Sequence, residues 1–174
     1  MASGLDAGFR SVEARGQGLE LLLPDADGWR HDPRERRTWV ATHAATRSRL
    51  LVRMWSADSI VRPADCERQL RELRPDLPTL EPDERIEQRR LTVAGDVAAE
   101  LTSGAVHAHG SALTGHGLLF GSDGRHCLAL VFSTQAEGET AARQVGDRLA
   151  IVSRALFERV RRLDIRERVV VPRP

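Results

Sequence analysis

Three histidines lie close together in the sequence and could bind a metal ion. His107 and His109 are two residues apart, so on a strand both side chains would point to one face of the sheet. His116 follows seven residues later and could complete a three-histidine site of the kind that binds Zn²⁺. No cysteine or carboxylate close by in the sequence supports such a site. We expect solvated histidines, and a metal-binding site is the alternative hypothesis.

The two cysteines could act as a nucleophile or as a buried pair. Cys127 follows His126, but neighbours on a strand point to opposite faces, so we expect a buried thiol rather than a nucleophile. Cys66 lies in line with Leu70 and Leu73 on the apolar stripe of a predicted helix. If that helix packs on the sheet face that holds Cys127, the two sulfurs could meet. They would form a disulfide in an oxidising compartment and stay reduced in the cytosol. The sequence favours the reduced pair, because no secretory signal is visible.

Other catalytic signals are weak. Ser111 lacks the second glycine of a nucleophile elbow, and the carboxylate pairs Asp25 with Asp27 and Asp83 with Glu84 lie in predicted turns or loops. No glycine spacing matches a phosphate-binding loop. We therefore predict a protein that is not an enzyme and needs no cofactor.

Composition and charge narrow the class of partner. The chain has 174 residues, of which 41% are hydrophobic and 29% charged, and its formal net charge is +1. These values are typical of one globular domain. The basic clusters contain or adjoin acids and lack interleaved aromatics, so we expect no nucleic-acid partner. No apolar run approaches the roughly 20 residues of a membrane span. We predict a soluble cytoplasmic protein, or a periplasmic or envelope protein if a signal peptide was removed.

Hydrophobic periodicity predicts one domain over residues 17–164, preceded by a mobile arm (1–16) and followed by a tail (165–174). A helix begins at Pro63 and ends before Pro75. A long C-terminal helix carries an apolar stripe from Ala142 to Leu163. Thr134 and Glu137 match a capping box at its start, and the alternative is that Gly138 delays the start by a turn. Residues 110–117 form a glycine-rich link. The predicted strands cover 19–23, 38–43, 50–55, 85–93, 97–109, 118–121 and 126–133.

A predicted hairpin turn at Asp123-Gly124 shows how the layers are arranged. A two-residue turn there places Phe120 opposite Cys127 and Leu119 opposite Leu128, so both faces of the hairpin are apolar. Strands with two apolar faces lie in the middle of a sheet that is covered on both sides. The fold class is therefore α+β: an α/β/α sandwich on a mainly antiparallel central sheet.

The three tryptophans all lie in the N-terminal third. We expect Trp39 and Trp55 to be core residues of the first hairpin. Trp29 follows a turn, and two alternatives stay open for it: a core position, or an exposed position in a partner-binding patch, where Trp is enriched.

The order of elements resembles a known family. The helix segment 66–70 with Leu73 and Leu77-Pro78, the strand and glycine turn 89–95, and the apolar strand 128–134 before the last helix carry the resemblance. The chain resembles the PsbP-like fold, and within it the small bacterial adaptors that serve type VI secretion effectors. The resemblance implies an adaptor or chaperone that binds a secreted or membrane-associated protein partner. Residues 105–117 have no counterpart, so no binding residue is carried over. The alternatives are a metal- or ligand-binding domain and an envelope protein.

Overall fold

The computed structural model describes residues 4–163. Within these residues the chain forms two α-helices and ten strands. The predicted tail over 165–174 lies outside the described residues. The elements are β1 (Phe9–Ala14), β2 (Leu19–Pro24), β3 (Trp29–His31), β4 (Trp39–His43), β5 (Ser48–Ser56), α1 (Pro63–Leu73), β6 (Arg85–Val93), β7 (Val97–His107), β8 (Leu113–Asp123), β9 (His126–Ala136), α2 (Ala141–Val152) and β10 (Arg161–Arg162).

A seven-stranded antiparallel sheet forms the centre of the molecule, in the order β3-β4-β5-β9-β8-β7-β6. A smaller antiparallel sheet has the order β1-β2-β10. The central hairpins need only short connections, which antiparallel pairing permits. The α+β class and the mainly antiparallel sheet are confirmed.

The central sheet is covered on both faces near its middle. One side, which we call the α1 face, carries Leu118, Phe120 and Val131 and packs against Leu70 of α1. The opposite side, the α2 face, packs against α2 and the small sheet. The core on that side includes Leu101, Leu119, Leu130, Phe132, Val145, Leu149, Leu21 and Leu23. Two apolar faces on β8 and β9 are what the sequence predicted.

The register of the β8–β9 hairpin differs from the prediction. Phe120 pairs with Ala129, and Asp123 pairs with His126, so Gly124 and Arg125 form the turn. Gly124 has φ 57°, and a turn that needs positive φ at its first central position favours glycine there. The shift moves each partner by two residues, so every side chain keeps its predicted face.

Residues 113–117 of the predicted glycine-rich link are in fact the first half of β8. A Cβ added to Gly117 would lie 2.9 Å from the Phe157 ring, and one added to Gly115 would lie 2.4 Å from Val145. Glycine therefore allows the C-terminal helical segment to approach the strand closely.

The C-terminal helix is shorter than predicted. It begins at Ala141, and its last turn widens into a π-helix over Ser153–Phe157. The capping box at Thr134 was wrong because that residue belongs to β9, whereas Gly138, with φ 90°, separates strand from helix. Val160 and Leu163 leave the helix: Val160 is buried in the core, and Leu163 N–H donates to Gly18 O at 2.8 Å.

The predicted N-terminal arm also needs correction. Phe9–Ala14 form strand β1, which pairs with β2 along its whole length, and Leu5 is fully buried. The segment was difficult to recognise because most of its side chains are exposed, so apolar and polar residues do not alternate clearly.

Candidate functional site

The three candidate metal ligands do not come together. His107 is the last residue of β7 and His109 lies beyond it, so strand alternation does not align them, and both are exposed. His116 pairs with Gly104, whereas His107 pairs with Leu113 three residues away along β8. Among residues 4–163, no three His, Cys, Asp or Glu side chains are placed to hold a metal ion.

His116 instead makes a contact on the α1 face. Its Nδ1 lies 2.8 Å from Ser133 Oγ on β9, beside a small cavity of about 140 Å³ that Arg49 and Asp76 also line. Burial lowers the pKa of His116 below its ordinary value, an effect that Glu84 opposes. The contact ties β8 to β9.

Cys66 and Cys127 are joined by a disulfide. Their Cα atoms are 5.5 Å apart, within the range that a bridge requires, and both residues are fully buried. Of the two alternatives that the sequence left open, the structure has the bridge rather than the favoured pair of reduced thiols. The bond fastens the first turn of α1 to the start of β9.

Trp29 is a core residue rather than an exposed contact. It is 7% exposed, and its indole N–H donates to Pro24 O at 2.8 Å. Trp39 is buried as well and stacks on His31. The half-buried Trp55 donates its N–H to Gln69 of α1 at 3.0 Å. A partner-binding patch centred on Trp29 is therefore excluded.

The sequence did not predict the contact between half-buried Asp25 and buried His43. His43 Nε2 lies 2.6 Å from Asp25 Oδ2, and His43 Nδ1 lies 2.8 Å from Thr46 Oγ1. The carboxylate only accepts, so Nε2 donates to it, and Nδ1 forms the second hydrogen bond of the ring with the threonine hydroxyl. A Cβ on Gly28 would lie 2.3 Å from Nε2, so glycine makes room for the ring.

Asp25, His43 and Thr46 have the side-chain types of a catalytic triad, but the threonine hydroxyl is not accessible to a substrate. His43 is 1% exposed and Thr46 is 2% exposed, so no substrate can reach the hydroxyl. A chain of hydrogen-bonded hydroxyl groups leads from Thr46 through Ser48 to Thr134. Buried Arg148 of α2 donates to Thr134 Oγ1 at 3.1 Å and to Gln135 O at 2.9 Å. Burial lowers the pKa of Arg148. The network holds α2 and the β4–β5 turn on the sheet.

An open groove lies on the α1 face, and we call it the α1 groove. Helix α1 packs mainly over β8 and β9, reaches only the edge of β7, and leaves Gln88, Arg90, Thr92 and Ala98 of β6 and β7 exposed. The helix wall presents residues at helical spacing, and the strand floor presents every second residue. The wall is formed by Pro63, Ala64, Glu67 and Arg71, and the floor by Gln88, Arg90, Thr92, Ala98, Glu100 and Thr102.

The groove consists of two adjoining cavities of about 330 and 630 Å³, which share Pro63, Ala64 and Glu100. Thr79, Leu80 and Arg85 line only the smaller cavity, which is the more enclosed of the two, and we call this part the closed end of the groove. Gln88, Arg90 and Thr92 on β6 are all exposed. A polar, uncovered strip beside a packed helix can receive a ligand without rearrangement of the core. Sequence reasoning could not locate it, because its wall and floor come from segments that are distant along the chain.

None of the helices formed by residues 4–163 has the length and apolar character that crossing a lipid bilayer requires.

Comparisons with known proteins identify the fold. No protein-family model and no curated protein sequence matches the chain. Mycobacterium tuberculosis LpqN, which is involved in cell envelope biogenesis, is 14% identical with a TM-score of 0.50, over 90% of this chain and 91% of that one. The cyanobacterial PsbP of Synechocystis sp. PCC 6803 is 13% identical with a TM-score of 0.48, over 86% and 91% of the two chains.

A third similar structure, from Bacteroides thetaiotaomicron, is 7% identical with a TM-score of 0.48 over 85% of this chain. This chain spans 46% of that protein's length. A PsbP structure is thus among the matches, as the predicted resemblance implies. The match to LpqN, which has the highest TM-score of the three, is the one that supports a shared fold. At these identities the likeness concerns the fold alone.

Proposed function

We propose that this protein is a non-enzymatic binding module of the cell envelope, which holds a partner polypeptide in the α1 groove as an adaptor or chaperone does. The observation that carries the proposal is the strip of β6 and β7 that α1 leaves uncovered. A helix of 11 residues packs over the middle of a seven-stranded sheet, and its groove side carries the charged Glu67 and Arg71 beside Pro63 and Ala64.

The shape of the groove favours an extended chain over a compact small molecule. Its floor follows β6 from Arg85 to Thr92, and eight residues of a strand extend over about 25 Å. The larger cavity is open along its side, whereas small-molecule sites bury most of their ligand. An extended segment of six to eight residues, about the length of the floor, matches these dimensions.

Two observations support the envelope as the compartment. The Cys66–Cys127 disulfide suits an oxidising environment, since such bonds are rare in reducing cytosol. LpqN, which shares the fold, is involved in cell envelope biogenesis. The predicted cytoplasmic location is therefore replaced, in this proposal, by its alternative.

The test is to block the groove and compare partner capture. Ala98 is an exposed residue on the groove floor, and Ala98→Trp would fill that part of the floor. Thr42 of β4 is exposed near the opposite end of the same sheet, so Thr42→Trp is the matched control. We expect the wild type and Thr42→Trp to retain one polypeptide stoichiometrically from the envelope fraction of the native cells, and Ala98→Trp to lose it.

Thermal unfolding of both variants verifies that they are folded. Equal capture by Ala98→Trp and the wild type, or no stoichiometric polypeptide with the wild type, would contradict the proposal.

A further inference from the structure

The α1 groove carries an excess of positive charge. Four arginines line it, Arg62, Arg71, Arg85 and Arg90, against two carboxylates, Glu67 and Glu100. The formal difference is 4 − 2 = +2, in a chain whose net charge is only +1. The groove therefore carries more positive charge than the nearly balanced charge of the whole chain would lead one to expect.

The two carboxylates are already engaged. Glu67 Oε2 lies 3.6 Å from Arg71 Nε, and Glu100 Oε1 lies 3.7 Å from Arg90 Nε. Within residues 4–163, Arg62 and Arg85 have no carboxylate within 4.0 Å of their guanidinium groups, although Arg62 lies close enough to Asp65 to help lower the pKa of that carboxyl. Neither charge is held in a direct ion pair within these residues, so a ligand could neutralise both.

The closed end of the groove is ordered before a ligand arrives. Arg85 Nε donates to Leu80 O at 3.3 Å, and its Nη1 donates to Gln88 Oε1 at 3.3 Å. Arg71 donates to Pro78 O at 3.1 Å. These uncharged acceptors orient the guanidinium groups without neutralising them, and oriented groups lose less entropy on binding.

The spacing of the unneutralised charges points to an extended ligand. Arg85 lies at the closed end of the floor, whereas Arg62 lines the open cavity together with Thr92 of β6. Arg85 and Thr92 are seven positions apart, which corresponds to roughly 20–23 Å along a strand. Arg62 and Arg85 line different cavities, so a small anion held within one cavity would meet only one of them.

We propose that the occupant of the α1 groove is an acidic, extended polypeptide segment, whose carboxylates lie against Arg85 at one end and Arg62 at the other. In an extended chain alternate side chains share a face, so acidic residues at alternate positions would all point toward the floor. This inference rests on the proposed function, because it specifies the chemistry of the partner segment.

The probe is a fluorescent 12-residue peptide of alternating Glu and Ser, compared with Gln–Ser and Lys–Ser peptides in fluorescence anisotropy at low and high salt. We expect the Glu–Ser peptide alone to bind, with an affinity that falls as salt screens the charges. Arg62→Gln and Arg85→Gln should each weaken binding about fivefold, and the double variant about 20-fold or more.

Arg49→Gln is the matched control. Arg49 is also exposed on the α1 face and has no carboxylate within 4.0 Å in residues 4–163, but it lies outside the groove. Unchanged affinity in the double variant, or equal binding of the Gln–Ser peptide, would overturn the inference. If Ala98→Trp abolishes capture of the native partner while the Glu–Ser peptide fails to bind, the groove remains the site and the acidic partner is refuted. If peptide binding survives Ala98→Trp, this assignment of the acidic segment to the groove is also refuted.

Discussion

The disulfide between Cys66 and Cys127 joins the first turn of α1 to the second residue of β9, and so fixes the helix that forms one wall of the α1 groove. The bonded residues are 61 positions apart, so the bond closes a large part of the chain. Two further residues of α1 hold the helix on the sheet. Gln69 accepts a hydrogen bond from Trp55, and Leu70 packs in the core. The position of the wall is therefore set by one covalent bond supported by non-covalent contacts.

Removing the disulfide should lower the free energy of unfolding by about 4 kcal/mol, because a loop of about 60 residues then regains its freedom in the unfolded state. The measurement is guanidinium unfolding of the wild type and of the Cys66→Ala/Cys127→Ala double variant. In parallel, denatured protein from native cells, isolated without reductant, should show no free thiols. Two titratable thiols in that sample, or equal stability of the double variant, would contradict the bridge and its place in the account.

The Asp25–His43 hydrogen bond, in which the histidine is buried and the aspartate half-buried, should contribute measurably to stability. Asp25 has φ 47°, a left-handed conformation that Asn also tolerates, so Asp25→Asn changes the charge of the acceptor with little backbone strain. We expect a loss of about 1–3 kcal/mol in the free energy of unfolding. Asp27→Asn is the control, because that carboxylate is exposed and its ion pair with exposed Arg10 should contribute less than about 1 kcal/mol. Equal effects of the two substitutions would show that burial adds nothing to the pair.

His116 should make the fold less stable in acid. Burial lowers its pKa in the folded state below the ordinary 6.5, so the unfolded chain takes up this proton first as the pH falls. The free energy of unfolding should therefore decrease as the pH falls through the ordinary histidine pKa of 6.5, and part of that decrease should vanish in His116→Asn. Exposed His109→Asn is the control and should keep the full decrease. Identical pH dependence in all three proteins would contradict a buried, neutral His116.

Local pattern predicted much of the fold. The faces of β8 and β9 follow from apolar residues on both sides of the hairpin, and α1 follows from Pro63 and the helical spacing of Cys66 and Leu70. What failed depended on tertiary contacts. The apolar stripe continues past Phe157, but the chain leaves the helix there so that Val160 can enter the core and Arg161–Arg162 can pair with β2.

The candidate site was much less predictable than the fold. The Asp25–His43 pair joins residues 18 apart, and neither has a neighbour in the sequence that suggests the contact. Pro63 and Ala64 lie beside Glu100 only because β6 and β7 run beyond the area that α1 covers. A groove defined by what a helix leaves uncovered has no sequence motif, although the polar Gln88, Arg90 and Thr92 at alternate positions of β6 gave a hint of a solvent-facing strip.

The central claim, that the α1 groove is the binding site, is tested most directly by site-specific photo-crosslinking in the native cells. A photoreactive amino acid at Gln88, on the groove floor, is compared with the same residue at Thr42, exposed at the far end of the same sheet. The account predicts one discrete crosslinked polypeptide from position 88 that is absent from position 42 and is lost when Ala98→Trp is added. No product from position 88, or the same product from both positions, would contradict it.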